Sequence, residues 1–219
     1  MQKALDSPTG TYSAAMKVCS PIVSRWARLE VVGLDLLPAS GPVLLAGNHD
    51  SYWDPVVIGV AARGRRQIRA LAKASLWKIK GLDQILNGMG QIPIERGRSD
   101  SLAFERAIED LRGGACIGIF PEGTRSLGRL LRARSGIGRL AEAVPEARTI
   151  CCSVTGSTDI PRFPFRPHVR VEFFEPRGGG RRDGEPASDF SARLLAEIRE
   201  RAPVVAAGRR PAMAEMPAA

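Results

Sequence analysis

The stretch Asn48-His49-Asp50-Ser51-Tyr52-Trp53-Asp54 places one of the chain's two histidines five residues ahead of a carboxylate. A neutral imidazole oriented by a carboxylate is the simplest general base near neutral pH. The apolar run Val43-Leu44-Leu45-Ala46 precedes the stretch, and Pro55-Val56-Val57-Ile58 follows it. That order predicts a buried strand, a polar turn and a helix beginning at Asp54 or Pro55. The same residues also read without chemistry, as an Asp54 N-cap ahead of the favoured N1 proline. One carboxylate oxygen cannot fully serve both the helix and the ring.

The elements that must position these groups follow from the rest of the chain. Residues 1–10 lack periodicity and are expected to be loose. Residues 11–26 carry Met16, Cys19, Ile22, Val23 and Trp26 at helical spacing, with Pro21 as an interruption. This segment either packs on the core or rests in a membrane interface with Lys17 and Arg25 near the headgroups. Strands are predicted at 29–34, 43–46, 68–72, 115–120, 149–155 and 168–174. Residues 75–87 form broken helix around Gly81, and Pro93 argues against a central strand at Ile92-Pro93-Ile94. The clearest helix is 99–112, capped by Ser99 or Asp100, with Leu102, Ile108 and Leu111 on one side and Gly113-Gly114 as its stop. Further helices are expected at 136–144 and 188–201, the latter with Phe190, Leu194, Leu195 and Ile198 inward.

Alternating strands and helices imply a single α/β domain, a largely parallel central sheet flanked by helices, spanning 11–202 with a disordered tail at 203–219. In such sheets ligands gather beyond the carboxyl ends of the strands. The His49 turn and the turn Pro121-Glu122-Gly123-Thr124-Arg125-Ser126 are both strand exits, so one cleft can hold them both.

With 219 residues, 44% hydrophobic and 25% charged, the chain excludes wholesale disorder. Its net charge of +9 points to an anionic partner: nucleic acid, a phospholipid surface or a phosphorylated substrate. An aromatic content of 5% leaves few stacking platforms for single-stranded nucleic acid. Two stretches are basic with no acid inside them: Arg63, Arg65, Arg66, Arg69, Lys73, Lys78 and Lys80, then Arg125, Arg129, Arg132, Arg134 and Arg139. Most such side chains are solvated surface, but their position beside the two turns suggests anion binding through the guanidinium fork. Cys19, Cys116, Cys151 and Cys152 lack metal-ligand spacing and read as reduced, mostly buried thiols of a cytosolic protein. No apolar run reaches the roughly 20 residues that span a bilayer.

Four blocks resemble the glycerolipid acyltransferases typified by 1-acylglycerol-3-phosphate acyltransferase. They are Asn48-His49 with Asp54, Gly90-Gln91-Ile92-Pro93-Ile94-Glu95-Arg96, Phe120-Pro121-Glu122-Gly123-Thr124-Arg125-Ser126, and a degraded Cys152-Ser153-Val154-Thr155-Gly156 that lacks the family's usual proline. The likeness covers roughly residues 25–175. It implies acyl transfer from acyl-CoA or acyl-carrier protein to the hydroxyl of a lysophosphatidate-like acceptor, giving phosphatidate, with no cofactor and no metal. His49 would be the base and Asp54 its orienting carboxylate. Arg96 would bind the acceptor phosphate and Glu122-Gly123 the glycerol, with Thr124, Arg125 and Lys73 as further substrate contacts. Asn48 and Ser126 would support the motifs. Lipid substrates without a spanning helix imply peripheral binding on the cytoplasmic face of an anionic membrane, through the basic face and apolar residues near the N-terminus.

The same acceptor chemistry fits glycerol 3-phosphate or another lysolipid. Other classes remain: a basic nucleic-acid binder, which lacks any recognised motif, a metal hydrolase built on His49, Asp50 and Asp54, and a catalytically dead lipid-binding module. Cys116, beside the third block, is a further candidate for a covalent role.

Overall fold

β2 (Val43–Gly47) is buried at every position, as a strand covered on both faces must be. In the computed structural model, which describes residues 5–95, 101–162 and 164–205, it lies at the middle of a mixed sheet. The other strands are β1 (Glu30–Val32), β3 (Ile68–Lys73), β4 (Ile92–Ile94), β5 (Cys116–Ile119), β6 (Arg148–Thr155) and β7 (Arg170–Phe174). Their order is β1-β7-β6-β2-β5-β3-β4. Every pairing is parallel except β6 with β7. Pro93 sits on the edge strand β4, where its missing N–H costs no ladder bond.

Alternation along β2 divides the interior in two. Val43 and Leu45 face a core built with Tyr12 and Met16 of α1 (Gly10–Ser20) and Val57 and Ile58 of α2 (Asp54–Ala61). A short α3 (Leu82–Gly88) follows β3. Leu44 and Ala46 face a second core with Leu111 of α4 (Ser101–Arg112), Ile137 and Leu140 of α5 (Gly136–Ala143), and Phe190, Leu194 and Ile198 of α6 (Ala187–Arg201). On that side α6 comes close to the backbone of α5 at Gly138. A Cβ there would lie 2.1 Å from the Ala187 carbonyl oxygen, so only glycine lets α6 dock this closely. Ser191 Oγ accepts the Gly138 N–H at 3.2 Å and fixes the contact.

Three local expectations are corrected. Pro21 does not interrupt the first helix: α1 runs on into a π-helical segment, Pro21–Trp26, closed by Ala27 N–H donating to Ile22 O at 2.9 Å. Proline stands at the first position of that wider helix, where no donor is required. Leu102 is 75% exposed, because α4 turns Ala103, Ala107, Asp110 and Leu111 inward instead. Asp110 can take a core position since Arg69 and Arg106 each reach it at 3.1 Å. Nor are residues 5–9 loose: Leu5 N–H donates to Gly113 O and Thr9 N–H to Gln67 Oε1. The Ser99 or Asp100 cap and most of the expected tail, residues 206–219, lie outside the described residues. Among the described residues no helix is long and apolar enough to cross a membrane.

Candidate active site

β6, β2 and β5 lie side by side, and the loops leaving their carboxyl ends meet. The β2 loop brings Asn48, His49 and Asp50, the β5 loop Glu122 and Ser126, and the β6 exit Ser157. His49 Nδ1 lies 3.0 Å from Asp54 Oδ2. An ionised carboxylate only accepts, so in the neutral imidazole this contact places the ring proton on Nδ1 and the lone pair on Nε2. Nε2 makes no hydrogen bond with the described residues. Phe120 stacks on the imidazole, with centroids 4.2 Å apart and planes 11° from parallel, so the ring can neither tilt nor turn over freely.

Asp54 resolves the rival roles in favour of the ring. Its Oδ2 also accepts the N–H groups of Asp50 and Ser51 at 2.7 Å each, and Ser157 Oγ donates to Oδ1. It stands inside α2 as the first helical residue, and the capping position falls to Trp53, which makes no side-chain cap bond. The expected Asp54 N-cap is therefore not formed. The carboxylate instead closes the turn that carries His49, and it is wholly buried.

Behind His49 lies a second buried polar layer. Glu122 Oε2 accepts the His49 N–H at 2.8 Å, and Ser126 N–H donates to His49 O at 2.8 Å. Arg199 of α6 donates from Nη2 to Glu122 Oε1 at 2.6 Å and to Asp50 Oδ1 at 2.8 Å, and from Nη1 to Asp50 Oδ2 at 2.9 Å. Asp50 also accepts from Ser126 Oγ and Asn48 Nδ2. Asn48 pairs in both directions with the backbone of Val154, which ties the degraded fourth block to the first.

Burial would push the Asp50 carboxyl up, but bonds from Arg199, Ser126 and Asn48 and the Arg199 charge hold it below its ordinary range. Glu122 moves the other way: burial raises it by more than Arg199 and the His49 N–H pull it down, and Asp50 adds to the rise. Burial would lower the Arg199 guanidinium, and the two carboxylates more than offset this. Cys116 is buried and its thiol is pushed up to about 12, leaving no thiolate for covalent chemistry near neutral pH.

A cleft of about 490 Å³ opens on the far side of Phe120, floored by Leu71, Ile94 and Phe104 and edged by Thr124, Arg134 and Arg139. Gly123 lines it with φ +68, in the left-handed region, and a Cβ there would lie 2.6 Å from Arg134 Cδ. Arg125 stacks on the Tyr52 ring at 3.5 Å. Lys73 is exposed at the carboxyl end of β3. Arg96 lies outside the described residues. Thus Asn48, His49, Asp54, Glu122 and Ser126 converge, whereas both Glu122 oxygens are engaged by protein and face away from solvent.

Of the first basic stretch, Lys73 stands at the carboxyl end of β3, but Arg65, Arg66 and Arg69 do not gather at the site as expected. Arg65 and Arg66 bind backbone carbonyls at the opposite ends of the strands, and Arg69 pairs with Asp110. Sequence reasoning missed Ser157 and Arg199. Ser157 follows a predicted strand exit and was open to the same rule that selected Glu122. Arg199 carries no such signal. Among the described residues no three His, Cys, Asp or Glu groups converge in a way that could hold a metal ion.

A family model described as Acyltransferase matches residues 28–165. The chain is 36% identical over 118 residues to a 1-acyl-sn-glycerol-3-phosphate acyltransferase of Borreliella burgdorferi, covering 52% of this chain and 46% of that protein. It is 30% identical over 112 residues to one of Bacillus subtilis, covering 51% and 54%. The chain thus spans about half the length of these curated relatives. The crystal structure of the 1-acyl-sn-glycerophosphate (LPA) acyltransferase PlsC from Thermotoga maritima shares the fold, with TM-score 0.62 at 22% identity over 86% of this chain and 81% of that one.

Proposed function

The chain belongs to the acyltransferase family, and on that premise we propose that it transfers a fatty acyl group from acyl-CoA or acyl-carrier protein to the hydroxyl of a lysophosphatidate-like acceptor, forming phosphatidate for phospholipid synthesis. The observation that carries this reading is the His49 ring, held through Nδ1 at 3.0 Å from Asp54 Oδ2, with no described residue hydrogen-bonded to Nε2. Nε2 removes the acceptor hydroxyl proton as that oxygen attacks the thioester carbonyl. The tetrahedral intermediate collapses, the C–S bond breaks, and the departing thiolate takes the proton back from the imidazolium. Asp54 stabilises the imidazolium meanwhile. The acceptor is itself the nucleophile, so no acyl-enzyme forms.

The apolar cleft beyond Phe120 suits the acyl chain, and Arg134 and Arg139 at its edge suit anionic groups on either substrate. Arg96, Thr124, Arg125 and Lys73 are assigned to the acceptor phosphate side, with Gly123 giving close backbone approach. Glu122 is assigned to holding the His49 backbone, since its carboxylate is already engaged. The reading includes peripheral attachment to the cytoplasmic face of an anionic membrane. Tyr52 is 73% exposed, Leu127 58% and Leu130 78%, and Arg125, Arg129 and Arg132 stand among them. Leu127 holds φ 51, a left-handed conformation unfavourable for leucine. Ser126 ties this loop to His49, so a bilayer pressed against it would present lipid beside the site.

The deciding experiment incubates the purified chain with acyl-CoA or acyl-carrier protein and a panel of acceptors, with products read by mass. Phosphatidate from lysophosphatidate is expected, while glycerol 3-phosphate and other lysolipids test the acceptor. His49→Ala should lower turnover roughly 10²–10⁴-fold. Near-normal turnover in that variant would sink the mechanism. Arg96→Ala should raise KM for the phosphorylated acceptor, and an unchanged KM removes Arg96 from the phosphate site.

A further inference from the structure

We propose that Arg199 is a positioning residue for His49, so that the C-terminal helix α6 is a working part of the site. The proposal rests on the acyl-transfer reading for its kinetic arm only. Arg199 lies outside the family match at 28–165, and its guanidinium is almost fully buried. It bridges two loops that are far apart in sequence, gripping Asp50 with both Nη atoms and Glu122 with one.

Each carboxylate it holds acts on His49 through the backbone. Glu122 fixes the His49 N–H at 2.8 Å. Asp50 is the next residue along the chain, and its own N–H is bound by Asp54 at 2.7 Å. The imidazole therefore hangs from a backbone segment pinned at N–H, at C=O by Ser126, and at the following residue. Without Arg199, Asp50 and Glu122 would be two like charges buried without a cation.

A buried ionic cluster is a poor source of net stability, because desolvation offsets much of the attraction. Here the Arg199 Nε also lacks a hydrogen-bond partner among the described residues. What the cluster supplies is a fixed geometry. The planar fork matches the carboxylates in a way an ammonium cannot. The Ala202 carbonyl accepts from Nη1 at 3.1 Å, so the fork is braced from its own helix end as well.

The test uses the full chain, isotope-labelled, as wild type, Arg199→Lys and Arg199→Met. With acyl-CoA and lysophosphatidate, Arg199→Met should lose about 100-fold in kcat, the size expected for a misplacement near 1 Å, while KM changes little. Arg199→Lys should recover part of the loss, since it keeps the charge but not the fork. Independently of activity, the ring ¹⁵N resonances of His49 should move in both variants while those of His168 stay in place. The chain has only these two histidines. If Arg199→Met does not fold, Arg199→Lys alone decides by the same measures. Wild-type kcat together with unmoved His49 resonances in a folded variant would overturn the proposal. If the wild type acylates no acceptor, the acyl-transfer reading fails, and the resonances still decide whether Arg199 positions the ring.

Discussion

Arginines of the two acid-free basic stretches look alike in the sequence, yet Arg65 and Arg66 of the first and Arg134 and Arg139 of the second have opposite fates in the fold. In the first, Arg65 donates to Leu37 O at 2.7 Å and Asp35 O at 3.1 Å, and Arg66 to Pro38 O, Gly41 O and Gly114 O. These guanidiniums clamp loops that enter β2 and β5 at their amino ends. In the second, Arg129 and Arg132 are exposed, and Arg134 and Arg139 edge the cleft at the carboxyl ends. In a parallel sheet, the end of the strand that an arginine occupies decides whether it clamps a loop or faces a ligand.

The sharpest way to break this contrast is Arg66→Ala. It strands three carbonyls and should cost about 3 kcal/mol of stability, read by denaturant unfolding, with turnover per folded molecule unchanged. A loss of turnover without a loss of stability would reverse the assignment. The Arg129→Gln, Arg132→Gln double variant should leave stability within about 0.5 kcal/mol. Its affinity for anionic vesicles should fall roughly thirtyfold, at about 1 kcal/mol per basic residue. Vesicle binding that ignores both the substitutions and added salt would remove the membrane role. Arg125→Leu should cost only about 0.5–1 kcal/mol by freeing Tyr52.

The smallest effect is expected on acidification, because Asp50 and Glu122 pull in opposite directions. Glu122, raised by burial, protonates first as pH falls, and that uptake favours the folded state. Asp50, held low by Arg199 despite its burial, contributes stability above the ordinary carboxylate range and loses it as pH falls through its lowered value. Asp50→Asn should therefore flatten the acid limb of the stability curve, whereas Glu122→Gln should steepen it. Equal limbs in all three proteins would contradict both shifts.

Much of the fold was legible because the strands are short apolar runs with clear punctuation. β2, β3, β5, β6 and the inward face of α6 fall where periodicity puts them. The meeting of the His49 and Glu122 turns was legible because both leave the carboxyl ends of strands. Pro21 was misread because a widened helix absorbs a missing donor that would break a regular one. Leu102 was misread because Asp110, neutralised by two arginines, took an inward position that apolar patterning cannot assign. Arg199 was invisible for a plainer reason. It shares α6 with Arg193 and Arg201, and nothing local separates the one that meets Asp50 from the two that pair with Glu185 and Glu172.

The glycine contact at the other end of α6 acquires a meaning from this. Gly138 meets the helix at Ala187, twelve residues before Arg199, or about 18 Å along the axis at 1.5 Å per residue. The helix is thus a lever whose fulcrum is a backbone contact and whose tip touches the loop carrying the base. A tilt of about 3° at the fulcrum moves the tip by about 1 Å over that length. Residues packed where Gly138 meets Ala187, about 18 Å along α6 from Arg199, set the aim of the imidazole and offer a way to tune it from the far end of the helix.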